Sequence, residues 1–267
     1  MKKIDLDEHK KIMIEMLNHI DYVCRQNKIN YSLTAGSLIG AIRHDGFIPW
    51  DDDIDIILTE EEYKKLIDAL AVDEKYTLLT PLNSRGYYYP YAKLVDNNTI
   101  LRERYSKEIP DYGVYVDIFQ YRYISNNRFI RYFSYKKQFF LREMLGLSAI
   151  NNLRISNESN FVKKLLLKII KKTDTHKWLK RYLKCLKKPK SNYVVNSWPI
   201  YGVAKDILLA SDTRGYERHK FEGVDAMIFS KYDKILRTTF GDYMQLPPKE
   251  ERKTHHDMEA YWKDGKK

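Results

Sequence analysis

Cysteine is scarce in this chain: Cys24 and Cys185 are the two present among 267 residues. Neither stands in a C-x-x-C or other metal spacing, which argues against a secreted disulfide framework and for a reduced, cytoplasmic setting. Long apolar runs are also missing. No stretch reaches the roughly 20 residues that a membrane-spanning helix needs. The opening Met-Lys-Lys-Ile-Asp-Leu-Asp-Glu lacks the apolar run of a secretory leader. A soluble or peripheral protein is expected. There is no internal repeat and no low-complexity linker. Acid is nearly absent from one segment: residues 161–190 hold twelve Lys/Arg and a single acid, Asp174. The whole formal charge of +11 resides there, because the remaining chain carries 35 basic and 35 acidic residues.

What is present is the composition of a globular protein. Hydrophobic residues make up 43% of the chain, with 22 Tyr and 10 Phe, enough for a sizeable core. The length suits one catalytic domain with an elaborated helical part. Ile12, Met13, Met16, Leu17, Ile20 and Cys24 recur at helical spacing, and Asp5 with Glu8 forms a capping box, so residues 5–26 read as a helix. A short strand at Tyr31–Thr34, a Gly36-Ser37 turn and a short helix from Leu38 to Arg43 follow. Asp53–Leu58 reads as a strand and Glu60–Leu70 as a helix capped by Thr59. Further strand-like runs lie at Tyr87–Val95 and Val114–Phe119, and helices at Arg128–Leu147, around 162–170, after Asp174, and at Lys231–Thr239. The fold class is therefore α/β (α+β): a core with a mixed sheet over 1–124, a basic helical region over 125–215, and a C-terminal segment, 216–267, packing back on the core.

Trp50-Asp51-Asp52-Asp53-Ile54-Asp55-Ile56 is the most informative stretch. In a strand, side chains at i and i+2 share a face. Asp53 and Asp55 would project together, Asp51 would join them if the strand extends, and Ile54 and Ile56 would point inward. Carboxylates this close repel one another unless a cation compensates. A hard ion such as Mg²⁺ or Mn²⁺ accepts oxygen ligands and neutralises a phosphoryl group. An exposed acidic turn is the bland alternative, and the flanking Ile residues oppose it. A calcium loop would need Gly where Ile56 stands. A degenerate site without metal is the third alternative. Gly36-Ser37, between strand and helix, can offer backbone N–H groups to phosphate. Asp117, flanked by Val116 and Ile118, can supply a third carboxylate or can cap a loop end.

The stretch from Thr34 through Gly36-Ser37, Arg43-His44-Asp45-Gly46 and Trp50-Asp51-Asp52-Asp53-Ile54-Asp55-Ile56 resembles the signature of the LicD family. That family includes bacterial phosphorylcholine transferases and is similar to the fukutin group. Tyr91-Ala-Lys-Leu94, Val116-Asp-Ile-Phe119, Gly241–Pro248, Arg252 and His255-His256 extend the resemblance to nearly the whole chain. It implies a nucleotidyltransferase fold, a CDP-linked donor such as CDP-choline, and a glycan hydroxyl as acceptor. It implies Asp53 and Asp55 as metal ligands, with Asp51 and Asp117 as further carboxylates; Asp117 is taken with Asp53 and Asp55 as the ligand set for two metal ions. Gly36, Ser37, Arg43 and Lys93 match positions expected near the phosphates. Asp117 or Asp51 is the candidate base. His44 reads as structural or as a phosphate contact, and His255 and His256 lack a visible metal partner. Choline is held by aromatic faces, which Trp50, Tyr89 and the neighbouring Tyr87, Tyr88, Tyr91, Tyr112 and Tyr115 could supply.

The 161–190 segment reads as a basic amphipathic surface for an anionic membrane at the inner face of the plasma membrane, matching a lipid-linked acceptor. No nucleic-acid motif accompanies it. Two other functions use the same residues: a nucleotidyltransferase releasing pyrophosphate, and a non-catalytic glycan- or membrane-binding module.

Overall fold

The computed structural model describes residues 1–254 and 257–264. His255 and His256 lie outside the described residues. The chain opens with β1 (Lys3–Ile4) and α1 (Leu6–Gln26). The Asp5 carboxylate accepts from Glu8 N–H at 2.8 Å, so the first turn of α1 is capped as expected. The α1 stripe Met13, Met16, Leu17, Ile20 and Cys24 is wholly buried, each such side chain stabilising by about 1.5–3 kcal/mol.

β2 (Ser32–Leu33), α2 (Ala35–His44), β3 (Asp55–Leu58), α3 (Glu60–Leu70), β4 (Tyr76–Leu79), β5 (Ala92–Asp96), β6 (Thr99–Glu103) and β7 (Tyr115–Ile124) complete the N-terminal half. A mixed sheet runs in the order β2-β3-β7-β5-β4, with β3 and β7 parallel and the other neighbours antiparallel. Two boundaries differ from expectation. α2 begins at Ala35 and takes Gly36 and Ser37 into its first turn. β3 begins at Asp55, which leaves Asp51–Asp53 in an irregular lead-in. The parity rule for strand side chains therefore does not reach Asp53.

α4 (Arg128–Ser148), α5 (Asn152–Ser156), α6 (Phe161–Lys171) and α7 (Thr175–Leu186) follow. The stretch 125–215 is not helical throughout. β8 (Tyr193–Asn196) returns antiparallel to the second half of β7, and after α8 (Val203–Asp206) β9 (Ile207–Leu209) pairs with β8. The two basic helices also part company. Leu179, Tyr182 and Leu186 of α7 are buried against Leu141 and Leu145 of α4. The apolar stripe of α6 faces solvent, with Leu167 alone buried.

The C-terminal segment adds a hairpin, β10 (Tyr216–Phe221) with β11 (Val224–Phe229), then α9 (Tyr232–Phe240) and β12 (Met258–Trp262). Phe221, Val224, Ala226, Ile228 and Leu236 share one core with α1, β2 and β3. β12 lies between β1 and β6 in a small second sheet.

Candidate active site

The turn from β2 into α2 is knitted to the start of β3. Thr34 N–H donates to the Asp55 carbonyl at 3.0 Å, and Asp55 N–H donates to Ser37 Oγ at 2.9 Å. Ala35 takes a positive φ of 48°, the left-handed region that costs a non-glycine residue about 1 kcal/mol. Thr34, Ala35 and Gly36, at the start of α2 where the first N–H groups have no intrahelical partners, line a cavity. Ser37 sits behind this wall, 2% exposed, and its hydroxyl fixes the backbone of Asp55.

Register places three charged residues in one row across the sheet. Asp55 on β3 lies opposite Asp117 on β7, and Asp117 lies opposite Lys93 on β5. Paired residues share a face, so the row projects to one side while Ile56 and Ile118 enter the core. Ahead of β3, carboxylate oxygens of Asp51, Asp52 and Asp53 come within 4.8 Å of one another, an oxygen set that could hold a hard cation. Burial, then the charges of Asp53, Asp117 and Asp51, push the Asp55 carboxyl well above its usual range, with Lys93 opposing. Negative charge exceeds positive at this point, a field that a divalent ion would relieve. The donor set and the field therefore fit Mg²⁺ or Mn²⁺. Asp52 does not stand out in the sequence, because alternation assigns it to the opposite face.

Lys93, expected near the phosphates, and Tyr89, expected as an aromatic face, lie next to each other. Neither lines the cavity. Lys93 is 1% exposed and donates to Asp117 Oδ1 at 2.5 Å. Its ammonium lies 3.4 Å from the centroid of Tyr115 and 4.7 Å from that of Tyr89, with Tyr91 and Tyr112 within 5.9 Å. The tyrosine cluster expected to cage a ligand cation thus encloses a cation of the chain itself. Tyr89 and Tyr112 donate their hydroxyls to Glu103, which closes the cage from behind.

The cavity has a volume of about 670 Å³. Asp51, Asp53 and Asp55 form its floor, together with Gly36 and Arg43. Arg43 donates to the Tyr243 carbonyl at 2.6 Å, and burial followed by Arg252 lowers its guanidinium from the usual value. Trp50 lines the cavity with Arg252 5.6 Å from its ring. Phe119, Trp198, Tyr201, Phe240 and Tyr243 supply the remaining aromatic wall. Tyr201 and Phe240 meet edge to face at 4.9 Å. Asp206 holds that loop by accepting from Tyr201 N–H and Gly202 N–H at 2.9 and 3.0 Å. Trp198 and Tyr201 carry no motif and follow β8 in the chain, whereas Phe240 ends α9 and Tyr243 belongs to the Gly241–Pro248 stretch.

Gly36 is required by space. A Cβ there would collide with Asp51 Oδ2. Gly36→Ala is expected to displace Asp51 and cut turnover by about 10- to 100-fold, in line with small misplacements of catalytic groups. The global fold should survive, and thermal melting read beside turnover checks both halves. Wild-type turnover in the variant would remove the packing argument.

The site thus joins charged residues on adjacent strands of a mixed sheet to the turn that opens α2. The model of the family described as LicD/FKTN/FKRP, nucleotidyltransferase domain, matches residues 28–145. The chain is 31% identical over 277 residues to the lipopolysaccharide cholinephosphotransferase LicD of Haemophilus influenzae, covering 98% of this chain and 99% of that one. An uncharacterized protein of Rickettsia prowazekii is 27% identical over 118 residues, 39% of this chain and 44% of its own. The chain belongs to the LicD family. The matched domain holds Gly36, Ser37, Arg43, Trp50, Lys93 and all the named carboxylates except Asp206. Trp198, Tyr201, Phe240 and Tyr243 lie beyond it.

Proposed function

We propose that the protein transfers phosphocholine, or a related alcohol phosphate, from a CDP-linked donor to a hydroxyl of a cell-surface glycan. Lipopolysaccharide, teichoic acid or a lipid-linked precursor of either would serve as acceptor, and CMP would be released. The observation that carries this reading is the meeting of a carboxylate floor, a helix N-terminus and an aromatic wall in one cavity. The Haemophilus influenzae relative supports the choline phosphate assignment.

In this reading Asp51, Asp52, Asp53 and Asp55 hold the divalent ions, with Asp117 behind them. Mg²⁺ or Mn²⁺ held by these residues would supply positive charge for the donor diphosphate and the CMP leaving oxygen. The N–H groups at the start of α2 and the Arg43 guanidinium receive phosphate oxygens. The acceptor oxygen attacks phosphorus, the bond to the CMP oxygen breaks, and the acceptor proton passes to a carboxylate. Asp51 is better placed as that base than Asp117. Asp51 lines the cavity, whereas Asp117 is occupied by the Lys93 ammonium. A quaternary ammonium donates no hydrogen bonds and is held by ring faces, which Trp198, Tyr201 and Phe240 present.

Incubation with Mg²⁺ and CDP-choline, CDP-ethanolamine, CDP-ribitol or CDP-glycerol should release CMP fastest from CDP-choline. Release should depend on glycan acceptor and stop on chelation. Pyrophosphate from a nucleoside triphosphate, with no CMP from any CDP-alcohol, would replace this reading with nucleotidyl transfer. Absence of any turnover would favour a binding module.

A further inference from the structure

Helix α6 is turned the wrong way round for a helix of a soluble protein. Its apolar residues Phe161, Val162, Leu165, Leu166 and Ile169 lie on one face by helical spacing, and that face is 50% to 78% exposed. Lys164, Lys168 and Lys172 flank it. α4 repeats the pattern at its other side. Its inner face, with Tyr135, Leu141 and Leu145, is buried. Phe129, Phe133 and Phe140, at spacings of four and seven, lie on the opposite face and are 75%, 66% and 58% exposed. Lys136 and Lys137 are exposed beside them. α4 packs against both α6 and α7.

We propose that α6 and the outward stripe of α4 form a docking surface for an anionic lipid bilayer, with these side chains entering the headgroup boundary. Large apolar side chains exposed together on one helix face mark an interaction surface. The flanking charge selects the occupant. Residues 161–190 carry twelve Lys/Arg against one acid. A second copy of the chain would bring two such surfaces together and be repelled, whereas an anionic membrane attracts it by roughly 1 kcal/mol per basic residue near the surface. No helix among the described residues is long and apolar enough to cross a membrane, so attachment by this surface would be peripheral. The inference concerns where the protein sits and stands apart from the transfer reaction, because lipid binding needs neither donor nor acceptor.

The test is co-sedimentation of the full chain with vesicles of equal parts phosphatidylcholine and phosphatidylglycerol, beside vesicles of phosphatidylcholine alone. The wild type should bind the anionic vesicles at least about tenfold more tightly and lose that binding as salt rises. Phe161→Ser with Leu165→Ser and Ile169→Ser should weaken it at least about tenfold, and Phe129→Ser with Phe133→Ser should weaken it likewise. All these positions are exposed, so melting temperature and CMP release with a soluble acceptor should stay at wild-type values and show that the variants fold. The proposal is overturned if the wild type stays in the supernatant with both vesicle types. It is equally overturned if the Ser variants sediment as the wild type does. Self-association of the lipid-free wild type, abolished by the same substitutions, would assign the face to a second copy instead.

Discussion

Asp53→Asn and Asp55→Asn are each expected to lower kcat by about three orders of magnitude or more, the scale of losing electrostatic stabilisation in a phosphoryl-transfer site. Each change removes a formal negative charge from the cavity floor while keeping size and most hydrogen-bonding capacity. The fold should persist, because asparagine keeps the size and shape of the side chain it replaces. Asp55→Asn has a second, opposite consequence. Burial and the neighbouring carboxylates hold the Asp55 carboxyl well above its ordinary 3.8. The folded state therefore binds that proton more tightly than the unfolded chain does, and ionised Asp55 weakens the metal-free protein. The penalty is absent below about the ordinary value and grows as pH rises through the folded value. In chelator at neutral pH, Asp55→Asn should melt above the wild type, by roughly 2–4 °C for about 1 kcal/mol. The gap should close near pH 4, roughly the unfolded carboxylate range. Added Mg²⁺ should raise the wild-type melting temperature and raise that of the variant less. Full activity in either variant, or equal melting in chelator at neutral pH, would sink the charge argument.

Lys93→Met should cost about 3–5 kcal/mol, the scale for removing one partner of a buried ion pair. Against a typical total of about 5–15 kcal/mol this is a large share of the stability of the fold. The methionine fills much of the lysine volume, so the loss reports the charge and not a cavity. Asp117, itself 6% exposed, would remain buried without the ammonium that now lies 2.5 Å from its oxygen. The double variant Lys93→Met with Asp117→Asn should recover a substantial part of the loss, since an amide needs no countercharge. Lys93→Arg should not restore the wild type, because four tyrosine rings enclose a space fitted to an ammonium. Urea midpoints of the single and double variants decide the matter. An unchanged midpoint for Lys93→Met would show that the pair contributes nothing.

These residues also mark how far sequence patterns reach. Asp55, Asp117 and the α2 turn are legible because each stands in a pattern whose geometry is local: acid alternating with Ile, or a Gly-Ser pair between strand and helix. Helix α1 is legible for the same reason, through its spacing and the Asp5 cap. Asp52 is not, because the alternation rule holds only inside a strand and β3 begins at Asp55. The role of Lys93 is hidden by register, since only the pairing of β5 with β7 sets it against Asp117. Trp198 and Tyr201 give no signal because they lie far from Asp55 along the chain, and β8, which brings them back, is a four-residue strand. β10 reads Tyr-Glu-Arg-His-Lys-Phe, too polar to announce a strand. α6 and α7 carry similar stripes, and only tertiary packing distinguishes the buried one from the exposed one.

The missing side chain at position 36 has a consequence for descent. Asp51 occupies the volume that a side chain at 36 would claim, so position 36 cannot enlarge while the Asp51 carboxylate keeps its place. Lineages that keep the carboxylate at 51 are constrained to glycine at 36. A lineage released from the chemistry at 51 should be free to acquire alanine or serine at 36 soon after. Paired loss at these two positions would mark, within the family, the branches that have given up catalysis.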